Sequence, residues 1–256
     1  MVFYSSSALA QINWGDYAGA TVDFLQVTED SNSGDTLPLF GEPNIVGDSM
    51  DFDPVGFGAF SSGGGAPDIT DGNLTFMVMT QNDLDIIDTL SFSEAGDTSL
   101  TNGLSFDDAL TTVEAHVFID ILQIDNQDVG QALNIDDYMV FTPSPNLTPN
   151  PIGDYQISVD SLNGHTYSTN WFGSLFVDLT AYLDDNDIEY EFGVTKVSVN
   201  IDNILTAASQ DGSSAVIAKK DFDGLVVTVN VPEPASCVLA CIGLALLALV
   251  GRRRVG

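Results

Sequence analysis

The stretch Thr112-Val-Glu-Ala-His-Val-Phe-Ile-Asp-Ile-Leu-Gln-Ile124 constrains this chain more than any other. Val113, Ala115, Val117, Ile119 and Ile121 fall on one side of a period of two. Glu114, His116, Phe118 and Asp120 fall on the other. This is the signature of a strand with one face in a core and one facing outward. A slip of one residue would put every apolar side chain on the wrong face, so the register is tightly specified. The pattern predicts Val113, Val117, Ile119 and Ile121 buried, with Glu114 and Asp120 more exposed.

Other segments read the same way. Residues 21–28 are β-rich, and 74–80 form a nearly continuous apolar run suited to a central strand. Strands are also expected over 155–160, 166–171, 174–179, 191–201 and 224–231. Asn163-Gly164, between two of them, predicts a hairpin. Turn clusters stand at 30–35, 61–65, Asp71-Gly72 and 210–214. Short helical turns would fit 105–110 and 202–206. No internal repeat is present, which removes propellers and solenoids. The expected fold is all-β: an antiparallel β-sandwich, jelly-roll-like, over residues 11–230. The run 142–151 carries four prolines and reads as a long exposed loop of that one sandwich rather than a linker.

Charge then narrows the function. Residues 11–230 hold 36 of the 37 acids, against three lysines, Lys196, Lys219 and Lys220. Such a polyanion repels phosphate backbones, so nucleic acid is excluded as a partner. Plentiful phenylalanine, valine, isoleucine and leucine in strand patterns argue against disorder. Both cysteines, Cys237 and Cys241, lie in an apolar stretch near the C-terminus. The body must therefore fold on its core alone, and about 220 residues suffice for that.

Catalytic signals are thin. The two histidines are His116, on a strand face, and His165, beside the Asn163-Gly164 turn. No Gly-x-Ser-x-Gly elbow is present for a nucleophile. No His-x-x-x-His or Cys-x-x-Cys pattern suits zinc in the body. With this many acids, some carboxylate pair will always have glycosidase spacing, so that spacing says nothing. Ser61 to Gly65 lacks the lysine and helix of a phosphate cradle. Calcium is the one cofactor worth weighing. Asp184, Asp185, Asp187 and Glu189 crowd hard oxygen ligands together, and Asp51-x-Asp53 is a smaller cluster, but neither fits an EF-hand loop.

The tail is a different kind of sequence. Val231-Pro232-Glu233-Pro234 precedes an uncharged run over 235–251, and Arg252, Arg253 and Arg254 follow it. As a helix, 235–251 would span about 25 Å, enough to cross a bilayer with snorkelling arginines. The prolines would stop it extending backwards. The arginines would stay cytoplasmic and leave the body outside. In order and spacing, these parts resemble the PEP-CTERM sorting signal. The resemblance covers residues 231–256 alone. It implies export, an exosortase-type enzyme acting near Pro232-Glu233-Pro234, and residence at the cell surface or in an exopolysaccharide matrix. At the other end, Ala8-x-Ala10 matches a signal-peptidase site, and residues 1–10 read as the remnant of a signal peptide.

Two functions fit. One is a non-catalytic surface or extracellular-matrix protein. The other is a carbohydrate-binding sandwich, calcium-assisted or not, acting on exopolysaccharide. The second needs an exposed aromatic platform, for which Tyr167, Trp171, Phe172 and Tyr182 are the candidates.

Overall fold

The computed structural model describes residues 11–102, 108–143, 152–157, 166–220 and 222–232. These residues form two antiparallel sheets packed face to face, with one short helix. The first sheet holds β1 (Gln11–Ala18), β2 (Val22–Ser31), β6 (Asp68–Thr80), β13 (Val194–Ser209), β8 (Ala109–Ile124) and β11 (Ile152–Ile157), in that order. β9 (Gln127–Tyr138) pairs with the other half of β8. The second sheet runs β10 (Val140–Thr142), β12 (Thr166–Asp178), β7 (Thr89–Thr101), β15 (Leu225–Asn230), β4 (Ser49–Phe52), β3 (Asn44–Val46). Beside them, β14 (Ser214–Lys219) lies between β7 and β5 (Gly58–Ser62).

The alternation in β8 is realised as read. Val113, Ala115, Val117, Ile119 and Ile121 are buried, while Glu114, His116 and Asp120 are half-buried on the outer face. β6 lies between β2 and β13, as a central strand should. β2 changes phase part-way. Phe24 points inward, then a bulge with Gln26 at φ 53° turns Val27 and Glu29 inward. A bulge adds one residue and so flips the later alternation.

Several local expectations give way to packing. Asp71-Gly72 is not a turn but the middle of β6. A Cβ on Gly72 would sit 2.9 Å from Leu39 and Phe57 side-chain carbons, so this glycine makes room rather than a bend. Residues 202–206 lie in β13, not in a helical turn, because Leu205 and Asn203 point into the core. β11 and β12 do not form a hairpin. β11 pairs with β8 in one sheet and β12 with β7 in the other. Tyr155 and Trp171 are both fully buried, each from its own sheet. Burying both aromatics between two layers outweighs a local ladder. Residues 158–165, which include Asn163-Gly164 and His165, lie outside the described residues. So do most of the proline-rich run and all of 1–10.

The helix α1 (Leu179–Asp185) replaces the end of an expected strand. Asp178 caps it by accepting from the Ala181 N–H at 2.8 Å, and Leu179 and Leu183 anchor it in the core. No helix among the described residues is long and apolar enough to cross a membrane. The helix expected over 235–251 lies outside them.

Candidate functional site

The outer face of the second sheet carries an open groove. On β12, residues 170, 172, 174 and 176 face outward, while Trp171 and Val177 face the core. The ladder sets Asn170 opposite Asp97 and Phe172 opposite Ala95 on β7. Directly after β14, Lys220 docks on the same strand through its N–H to the Ala95 carbonyl at 2.9 Å. Its Nζ donates to Asp97 Oδ2 and Asn170 Oδ1, each at 3.0 Å. Phe222 and Asp223 close the far side. Together Ala95, Asp97, Phe172, Lys220, Phe222 and Asp223 line a groove of about 710 Å³.

The chemistry is two apolar plates beside a fixed polar row. Phe172 is 57 % exposed and Phe222 70 % exposed. Phe176 continues the plate along β12, four residues on and roughly 13 Å away at strand rise. A flat ligand with an apolar face and polar edges suits such a surface.

Of the four aromatic candidates, Phe172 alone stands in the groove. Trp171 is fully buried, because it is next to Phe172 and strand side chains alternate. Tyr167 is exposed near the start of β12, but on the opposite phase from Phe172 and away from the groove. Tyr182 is half-buried and donates to the Asn134 carbonyl at 3.1 Å. Phe222 was missed. Its signal is a lone aromatic in the short acidic, glycine-ended stretch Asp221-Phe-Asp-Gly224.

The carboxylate cluster expected for calcium is dispersed along one turn. Asp184 and Asp185 end α1, Asp184 Oδ1 accepts from the Tyr190 hydroxyl at 2.9 Å, and Asp187 sits at φ 54°. Among the described residues, no three His, Cys, Asp or Glu side chains are placed to hold a metal ion. Asp51 meets Asp53 and Asp223 near the groove. Burial first, then these two neighbours, raises its carboxyl above the usual range.

His116 is a sheet-face residue. Its Nε2 contacts the Asp136 carboxylate, and its ring stacks on Tyr138 with centroids 4.0 Å apart. Beside it, Asp202 and Asp71 lie close together, and both carboxyls are raised, chiefly by burial.

A second polar group lies between the sheets. Lys219, Glu94 and Asn203 are all buried and touch one another through one carboxylate oxygen. Asn203 Nδ2 donates to Glu94 Oε2 at 2.6 Å, and Lys219 Nζ donates to the same atom.

The family model of the PEP-CTERM protein-sorting motif matches residues 230–254. Its first residue, Asn230, is the last of β15. No curated protein matches the chain. Among solved structures, it is similar to a non-crystalline cellulose specific carbohydrate-binding module, CBM28. The two are 12 % identical over 63 % of this chain and 78 % of that one, with a TM-score of 0.17. A family 11 carbohydrate-binding module from Clostridium thermocellum, in complex with a β-1,3-1,4-mixed-linked tetrasaccharide, is 14 % identical. That match covers 87 % of this chain and 97 % of the other, with a TM-score of 0.15. Endoglucanase 3 from Trichoderma harzianum, of family GH12, is 8 % identical. It covers 90 % of this chain and 100 % of its own, with a TM-score of 0.22.

Proposed function

We propose that this chain is an exported, non-catalytic surface or extracellular-matrix protein, delivered by an exosortase-type sorting enzyme. The observation that carries this reading is the sorting motif over 230–254, which begins where the last strand ends. A single crossing of the inner membrane would leave the sandwich outside and Arg252, Arg253 and Arg254 on the cytoplasmic side. Moving each arginine through hydrocarbon costs roughly 2.5–3.5 kcal/mol on insertion scales. The acidic body suits a soluble surface coat and repels nucleic acid. Mass spectrometry of protein recovered from the cell surface tests the proposal. The expected C-terminal peptide ends near Pro234. Peptides reaching Gly256 on surface protein would mean a retained anchor and no sorting cleavage.

A second reading, a saccharide-binding sandwich, is favoured by the groove of Phe172, Phe222 and the Lys220–Asp97–Asn170 row. Sugar rings offer one apolar face and hydroxyl edges, which such a groove can stack and hydrogen-bond. Affinity electrophoresis in exopolysaccharide, with and without calcium, should show retardation that Phe172→Ala reduces at least tenfold. Equal mobility of both proteins in every polysaccharide would leave the surface role without a sugar ligand.

A further inference from the structure

The buried Lys219–Glu94–Asn203 group has an unusual composition for a core. Lys219 extends inward from β14 and Glu94 from β7, both in the second sheet. Asn203 comes from β13 in the first sheet. Lys219 Nζ lies 5.2 Å from the centroid of the Phe57 ring and 5.9 Å from those of Phe40 and Trp171. These rings wall the amine off from water. Both Lys219 and Asn203 donate to Glu94 Oε2, which places their nitrogens roughly 3–5 Å apart. Meanwhile, among the described residues, Glu94 Oε1 and Asn203 Oδ1 are buried without a partner. A buried ion pair with orphaned oxygens is a costly arrangement.

The geometry points to a covalent outcome: we propose that Lys219 and Asn203 condense into an intramolecular amide, with Glu94 relaying the protons. The Nζ proton passes to the Glu94 carboxylate, leaving a neutral amine. Burial favours this, since it pulls the Lys219 ammonium below the usual lysine range against the opposing pull of Glu94. The amine lone pair attacks Asn203 Cγ while Glu94 donates its proton to Oδ1. As the tetrahedral intermediate collapses, Glu94 carries one proton from Nζ to Nδ2, the Cγ–Nδ2 bond breaks and Nδ2 leaves as ammonia, and the Oδ1 hydroxyl proton passes to Glu94 as the carbonyl re-forms. The overall change joins one amine and one carboxamide into a secondary amide and releases one ammonia, with no oxidant or cofactor. Glu94 ends protonated, able to donate to the new carbonyl while accepting from the new N–H. Both orphaned oxygens then gain a partner and no buried charge is left.

The bond would tie β13 to β14 across the sandwich. The body has no cysteine to do this with a disulfide, since both cysteines lie in the tail.

Digestion of the full chain on the N-terminal side of aspartate tests the bond. Cleavage before Asp202, Asp211 and Asp221 gives peptides 202–210 and 211–220. The first contains Asn203 and the second Lys219. The expected product is one branched species, lighter than their sum by one ammonia, about 17 Da. Glu94→Gln should return the two free peptides. Two free peptides from the unaltered protein would overturn the proposal. So would a loss of about 18 Da with 211–220 joined to 88–96, which would place the bond on Glu94 instead. A full cross-link in the Glu94→Gln protein would refute the proton relay.

Discussion

Gly96 and Trp171 face each other across the β7–β12 ladder. A Cβ on Gly96 would fall 1.9 Å from Trp171 Cζ2 and 2.4 Å from the Ala218 carbonyl oxygen. The indole thus lies flat on bare backbone, and no rotamer of a larger residue relieves the overlap. Gly96→Ala should destabilise the domain by about 3 kcal/mol or more, through overpacking. Denaturant unfolding of the variant measures it, and a loss under about 1 kcal/mol would mean that the indole moves freely. Neither partner was legible alone. Gly96 resembles any strand glycine, and from sequence Trp171 is one of four platform candidates, because alternation fixes which residues share a face but not which face is inside. Phe172, its neighbour, took the exposed role.

At the scale of elements, local pattern succeeded where one strand suffices. β8 is the clearest case, since five apolar side chains at period two leave it one orientation. The pattern failed where a partner overrules it, as at Gly72, at 202–206, and in the separation of β11 from β12. The turn between β8 and β9 shows the same dependence. Asp125 and Asn126 both have positive φ, and the Asp125 carboxylate accepts from the N–H groups of Glu191, Phe192 and Gly193 at 2.7–2.9 Å. Burial pushes its carboxyl up, but the three backbone donors together hold it below the usual range. A depressed carboxyl contributes stability above its unfolded pKa and loses it as pH falls through the folded value. Asp125→Ala should cost about 2 kcal/mol near neutral pH, by loss of charge-assisted hydrogen bonds. Its effect should shrink in acid. A pH-independent difference in melting temperature would show that the carboxylate charge is not what holds the 191–193 segment.

Among the described residues the balance of shifted carboxyls runs the other way. Glu29, Asp51, Asp71, Asp154 and Asp202 are all raised, with burial the largest cause in each. A raised carboxyl binds more protons folded than unfolded, so its penalty grows as pH rises through the window between the two values. The melting temperature should therefore rise as pH is lowered from neutral towards the ordinary carboxyl range of about 4, against the opposing contribution of Asp125. Thermal melts across that range decide it. A fall would mean that carboxylates held like Asp125 outnumber those raised by burial. The net charge of −31 acts in the same direction, because self-repulsion eases as acids are protonated.

The sequence by itself determined the class, the acidic surface and the tail. Period-two alternation is a property of one strand, net charge is a sum over residues, and a sorting motif is read as a linear string. Each is complete without knowing what lies nearby in space. Only the tertiary structure decided which strands pair, which aromatics stay outside, and where Lys219, Glu94 and Asn203 meet. Those three residues are separated by up to 125 positions along the chain. Their meeting depends on two sheets closing over one core, a non-local result that no single window of sequence contains.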